Sequence, residues 1–129
     1  MKTVICKTFT ARITIGLTRM YSGKSIALPA FKKALLIAQE AIQAQYKIEL
    51  SAKLSACEIL FLGQDEPSIE LEFIQYPRFP QEESALKKAI VELTQLMMLE
   101  LEQNRVVIVF SDETLMLEQT DAIDPAIRL

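Results

Sequence analysis

Residues Thr8–Ser25 read TFTARITIGLTRMYSGKS, and two architectures compete for them. If Gly23-Lys24-Ser25 closes a phosphate-cradling loop, the strand before it belongs to a parallel, nucleotide-binding sheet. If it is a polar turn, the strand belongs to a small antiparallel one. The strand itself is plain. Phe9, Ala11, Ile13, Ile15 and Leu17 alternate with Thr8, Thr10, Arg12 and Thr14, a period of two that gives one buried face. The loop decides. A phosphate loop needs G-x-x-x-x-G-K-[ST], and Thr18 stands where the first glycine should let the backbone wrap the phosphates. Leu28 and Pro29 also delay the helix past the point where its N–H groups would meet phosphate. YSGKS therefore reads as a turn in which Gly23 takes a positive φ, and the sheet is expected to be antiparallel.

The rest of the chain follows outward from that turn. Phe31, Leu35, Ala38 and Ile42 make a helical stripe over Pro29–Gln45, with Ser25 as the expected N-cap. KIELSAKL, from Lys47, alternates like a strand and runs into CEILFL. GQDEPS is expected to turn it back into a strand over Ser68–Tyr76. Pro80 then suits the first turn of a second helix whose stripe is Leu86, Ile90, Leu93, Met97 and Leu101, with Glu83 and Lys87 at i,i+4 spacing. RVVIVF is a further strand, and SDET turns it toward a short partner, LMLE. The tail from Gln119 to Leu129 is irregular, with Ile127 and Leu129 available to dock.

Two helices with one-sided apolar faces need one sheet to cover. The expected fold is an α+β two-layer sandwich, a ferredoxin-like βαββαβ with an antiparallel sheet in the order 4-1-3-2 and an optional extra C-terminal hairpin strand. One domain spans residues 1–129. Cys6, before the first strand, and Cys57, on the second, are then separated by the third strand and too far apart for a disulfide.

Composition narrows the chemistry. The chain has 129 residues, 50% of them hydrophobic, a net charge of −3 and no histidine. Without histidine there is no Ser-His-Asp or Cys-His system, and two cysteines cannot close a thiolate zinc site, so no catalytic residue, metal or cofactor is assigned. The absence of a basic run argues against nucleic acid. No apolar run reaches membrane-spanning length, and Lys7 and Arg12 interrupt any signal-peptide core. A cytoplasmic location is expected.

Two places gather functional groups. Arg19, Tyr21, Lys24 and Arg105 meet at the YSGKS end, where a small anionic ligand would find cations near a helix N-terminus. Tyr76, Arg78 and Phe79, stiffened by Pro77 and Pro80, form an aromatic-basic projection at the opposite end, suited to gripping a partner or a flat ligand. The alternative there is that Phe79 plugs the core. Val91, Met98 and Leu99 on the second helix, with Leu36 and Ile37 on the first, are apolar residues off the main stripes. They point to self-association, a dimer being the simplest closed form. The open sheet face lacks the stacking aromatics of RNA-binding modules of this topology. The plan is similar to that of the tautomerase superfamily too, but Lys2 stands where that family exposes a proline, so no catalytic role carries over. The sequence expectation is thus a non-catalytic, self-associating interaction module. The alternative is a small isomerase- or tautomerase-like enzyme, or a sensor, for an anionic ligand.

Overall fold

The computed structural model describes residues 1–125 and 127; Leu129, expected to dock, lies outside the described residues. The elements are β1 (Thr10–Gly16), α1 (Leu28–Tyr46), β2 (Lys53–Phe61), β3 (Gln64–Ile74), α2 (Glu83–Glu100), β4 (Arg105–Phe110) and β5 (Thr114–Glu118). They form one five-stranded sheet in the order β2-β3-β1-β4-β5, antiparallel at every pairing, and two helices. Four strands with an optional fifth were expected; the fifth, β5, pairs outside β4 from Arg105↔Glu118 to Val109↔Thr114.

The alternation in β1 works as read. Ala11, Ile13 and Ile15 are fully buried, and the register places them beside Phe73, Leu71 and Ile69 of β3 and, for the first two, Phe110 and Ile108 of β4. The apolar stripes of α1 and α2 share one core with these residues. The opposite face of the sheet aligns Arg12, Glu72 and Lys53 in one cross-strand row and Thr14, Glu70 and Ser55 in the next.

The YSGKS loop closes on itself. Thr18 and Ser25 form an antiparallel bridge. The N–H groups of Arg19, Ser22 and Ile26 donate to Lys24, Arg19 and Leu17 carbonyls at 2.8–2.9 Å, and that of Met20 donates to Glu102. Gly23 has φ 77°, and Tyr21 joins it at 56°. Amides spent in this way are not aimed at a phosphate, and β1 is antiparallel to both neighbours. The bridge also corrects the expected N-cap: Ser25 is still extended, and α1 starts at Leu28 behind Ala27, with no side-chain cap.

Three other boundaries differ from the sequence reading. Residues 47–52 alternate in burial, with Ile48 and Leu50 buried, but are not strand. Lys47 ends α1 in the left-handed region, and β3 pairs with β2 only up to Lys53↔Glu72. The GQDEPS turn is shorter than expected and includes only its first residue. Leu62 (φ 48°) and Gly63 (φ 81°) make a two-residue turn, and β3 begins at Gln64. Pro67 is tolerated because only β2 pairs with β3 there, and its carbonyl still accepts from Leu17 N–H at 2.9 Å. Finally, α2 starts at Glu83 rather than Pro80, because the Gln81 backbone is held by the Gln75 side chain.

Candidate functional site

A cleft of about 570 Å³ opens where β3 leaves the sheet and α2 begins. Its floor is apolar: Phe73, Leu86, Ile90 and Leu50 are all buried. Each follows from a pattern already described, β3 alternation for the first, the α2 stripe for the next two, and the pseudo-strand alternation of residues 47–52 for Leu50. The rim is polar and aromatic, formed by Lys47, Glu49, Ser51, Gln75 and Gln81 with Tyr76 and Phe79.

Local chemistry makes that rim stiff. The Gln75 side chain donates to Gln81 O at 2.7 Å and accepts from Gln81 N at 2.9 Å, closing the loop across its neck. Phe79 N–H donates to Tyr76 O at 3.0 Å. Within this closure the Tyr76 and Phe79 rings stack at 6.0 Å between centroids, tilted by 13°. They are 58% and 66% exposed, so Phe79 does not plug the core. Leaving two aromatics in water is costly unless something covers them. Arg78 between them is exposed and does not line the cleft.

Sequence reasoning placed Tyr76 and Phe79 here but missed the other wall. Lys47, Glu49 and Ser51 looked like the solvent face of a strand, and only the left-handed exit of α1 at Lys47 turns them toward β3. Nearby, Tyr46 donates its hydroxyl to Glu92, which raises the phenol's pKa, chiefly through that bond and secondarily by burial. Lys88 lies 5.6 Å from the centroid of the Tyr46 ring.

The other predicted cluster does assemble at the YSGKS end, with most of its donors engaged. Arg19 donates to Glu102 at 3.0 Å and to Glu100 O at 3.1 Å. Arg105 is paired with Glu118, at 2.6 Å from Nε, and donates to Ala122 O; its pKa is raised, mainly by the Glu118 bond. Tyr21 donates to the same Ala122 carbonyl and accepts from Asn104. Lys24 is exposed in the turn. An anion here would have to compete with two carboxylates already in place. Among the described residues no group of three histidine, cysteine or acidic side chains is placed to hold a metal, and no helix is long and apolar enough to cross a membrane. Cys6 and Cys57 are free thiols.

Solved structures give the comparison. A phage SAM lyase in its apo state superposes with a TM-score of 0.67 at 16% identity, covering 89% of this chain and 91% of that one. In fold, the chain resembles that lyase. A phage SAM lyase bound to S-methyl-5′-thioadenosine gives a TM-score of 0.63 at 16% identity, over 92% of this chain and 95% of that one. No family model matches the sequence, and no curated protein does. At this identity the likeness concerns the fold alone.

Proposed function

We propose that the chain is a self-associating protein that binds a nucleoside sulfonium or thioether of the S-adenosylmethionine class in the β3–α2 cleft and cleaves the sulfonium. The observation that carries this reading is a nucleoside-sized cleft rimmed by the stacked Tyr76–Phe79 pair. It is supported by likeness, nearly end to end, to a lyase seen with S-methyl-5′-thioadenosine. Clefts of this volume suit small ligands with an apolar floor and a few polar contacts. A purine stacks on exposed aromatics for roughly 1–3 kcal/mol per base. Lys47 and Glu49 supply one cation and one anion, which match the carboxylate and the positive charges of the amino-acid part. The accompanying fold reading is a ferredoxin-like split βαβ in the order 4-1-3-2, extended by β5.

The reaction suits a chain without histidine. As the bond from sulfur to the amino-acid γ-carbon breaks, its electron pair goes to sulfur, which leaves as a neutral thioether, while an oxygen of the substrate's own carboxylate bonds to the γ-carbon and closes a lactone. Such a leaving group needs no strong acid, so the site works by positioning. Incubation with S-adenosylmethionine followed by chromatography tests this. S-methyl-5′-thioadenosine should accumulate above the spontaneous background in proportion to protein, and Tyr76→Ala with Phe79→Ala should slow it about tenfold or more. No product above background would remove the catalytic reading.

A second reading, the non-catalytic interaction module, is favoured by the outer face of the helix layer. Leu36, Ile37, Leu96 and Leu99 are 39–66% exposed, and the last three line a groove of about 280 Å³. Retention of self-association by light scattering, without nucleoside binding, would select it. Met98, expected among these residues, is buried at 3% and belongs to the core instead.

A further inference from the structure

We propose that the β2–β3 hairpin tip docks onto the α1 face of a second copy of this chain, an inference that rests on the self-association reading above. β1 pairs with β3 only from Ser68 to Ile74, whereas β2 continues alongside β3 to Phe61↔Gln64. Leu17 N–H makes the last bond on that side, to the Pro67 carbonyl, so the segment from Glu58 to Glu66 is a two-stranded arm with no third strand paired to it, and such ribbons are marginal in water by themselves. This one is also oily. Ile59, Leu60, Phe61 and Leu62 are 45%, 68%, 44% and 75% exposed. The tip adds an independent sign. Leu62 has φ 48°, a position where a two-residue hairpin turn favours Asn, Asp or Gly. A leucine there works against the turn, and its side chain points into water.

The chemistry of the arm identifies its occupant. The register puts Glu58, Leu60 and Asp65 on one face, and the arm also carries Glu66 but neither Lys nor Arg. It is an acidic, apolar element. Its complement lies on α1, where Lys32 and Lys33 flank Leu36 and Ile37, which are 53% and 52% exposed. Among the described residues neither lysine has a carboxylate at ion-pair distance.

Area points the same way. One arm offers on the order of 500 Å² of apolar surface, short of the roughly 800 Å² per partner in a standard interface. A copy that both gives its arm and receives another exceeds that figure, as in a two-fold pair or a closed ring.

Light scattering on a sizing column across a dilution series of the full chain tests the proposal. Leu60→Thr with Leu62→Asn retains strand propensity and improves the turn, so the fold survives while the oily contact goes. The dissociation constant of the assembly should rise about 30-fold. Lys32→Glu with Lys33→Glu should weaken assembly too, and adding Glu58→Lys and Asp65→Lys in the same chain should restore it. A wild-type assembly that the arm variant matches in dissociation constant would overturn the docking while leaving self-association standing. A wild-type chain that stays monomeric at about 100 µM would overturn both.

Discussion

Lys87 shows how a single side chain knits two elements. Its ammonium lies 2.8 Å from Asp112 and 3.2 Å from Glu113, and 5.3 Å from the centroid of the Phe110 ring. Helix spacing suggested Glu83 as its partner, but Glu83 lies 3.9 Å from Lys7 instead. An i,i+4 rule sees only its own helix, and the β4–β5 turn brings two carboxylates from elsewhere. The Asp112 bond holds the Lys87 pKa above its ordinary 10.5, and Lys87 in turn holds Asp112 below its ordinary 3.8. The signs fix the pH window. The Asp112 contribution is present above 3.8 and is lost as pH falls through the depressed value. The Lys87 contribution is present below 10.5 and is lost as pH rises through the raised one. Urea titrations of wild type and Lys87→Met across pH should therefore diverge most in the neutral range and converge toward both extremes. A difference that does not change with pH would refute the pairing. In the core, Leu93→Ala removes a side chain with no exposure and should cost about 2–5 kcal/mol in the same measurement.

At the scale of elements, burial was easier to read than hydrogen bonding. The alternation from Lys47 onward correctly buries Ile48 and Leu50, yet these residues join no strand: β2–β3 pairing stops at Lys53↔Glu72, while β3 stays beside β1 to Ile74. Conversely, GQDEPS read as a turn by composition, but only Gly63 lies in the turn and the rest is the start of β3. Proline and carboxylates are tolerated there because the arm has water on both faces. The turn residue Leu62 gives a direct check. In dilute, dissociated protein, Leu62→Asn should raise unfolding stability by about 1 kcal/mol, since it relieves an unfavourable left-handed leucine. A loss of stability would mean that the side chain is packed within its own subunit. The cleft rim was only half legible. YPRFP announces stiffness through its prolines, while Lys47 and Glu49 reach the rim through the helix exit, which no local pattern in the sequence marks.

Across the whole molecule, the antiparallel sheet under two helices came from periodicity and from the defects in a false phosphate loop. Neither supplied a ligand. The excess of apolar surface is now localised to an arm at one end, a seam between the helices, and a stacked aromatic pair at the other end. The first two suit protein contacts, and the third suits a flat ligand. The central claim is that the Tyr76–Phe79 cleft holds a nucleoside. Calorimetric titration of the full chain with S-methyl-5′-thioadenosine tests it most directly, alongside Tyr76→Ala/Phe79→Ala. Saturable binding at one site per chain, weakened tenfold or more in the double variant, is the expected result. No heat at millimolar nucleoside, or equal binding by both proteins, would contradict it.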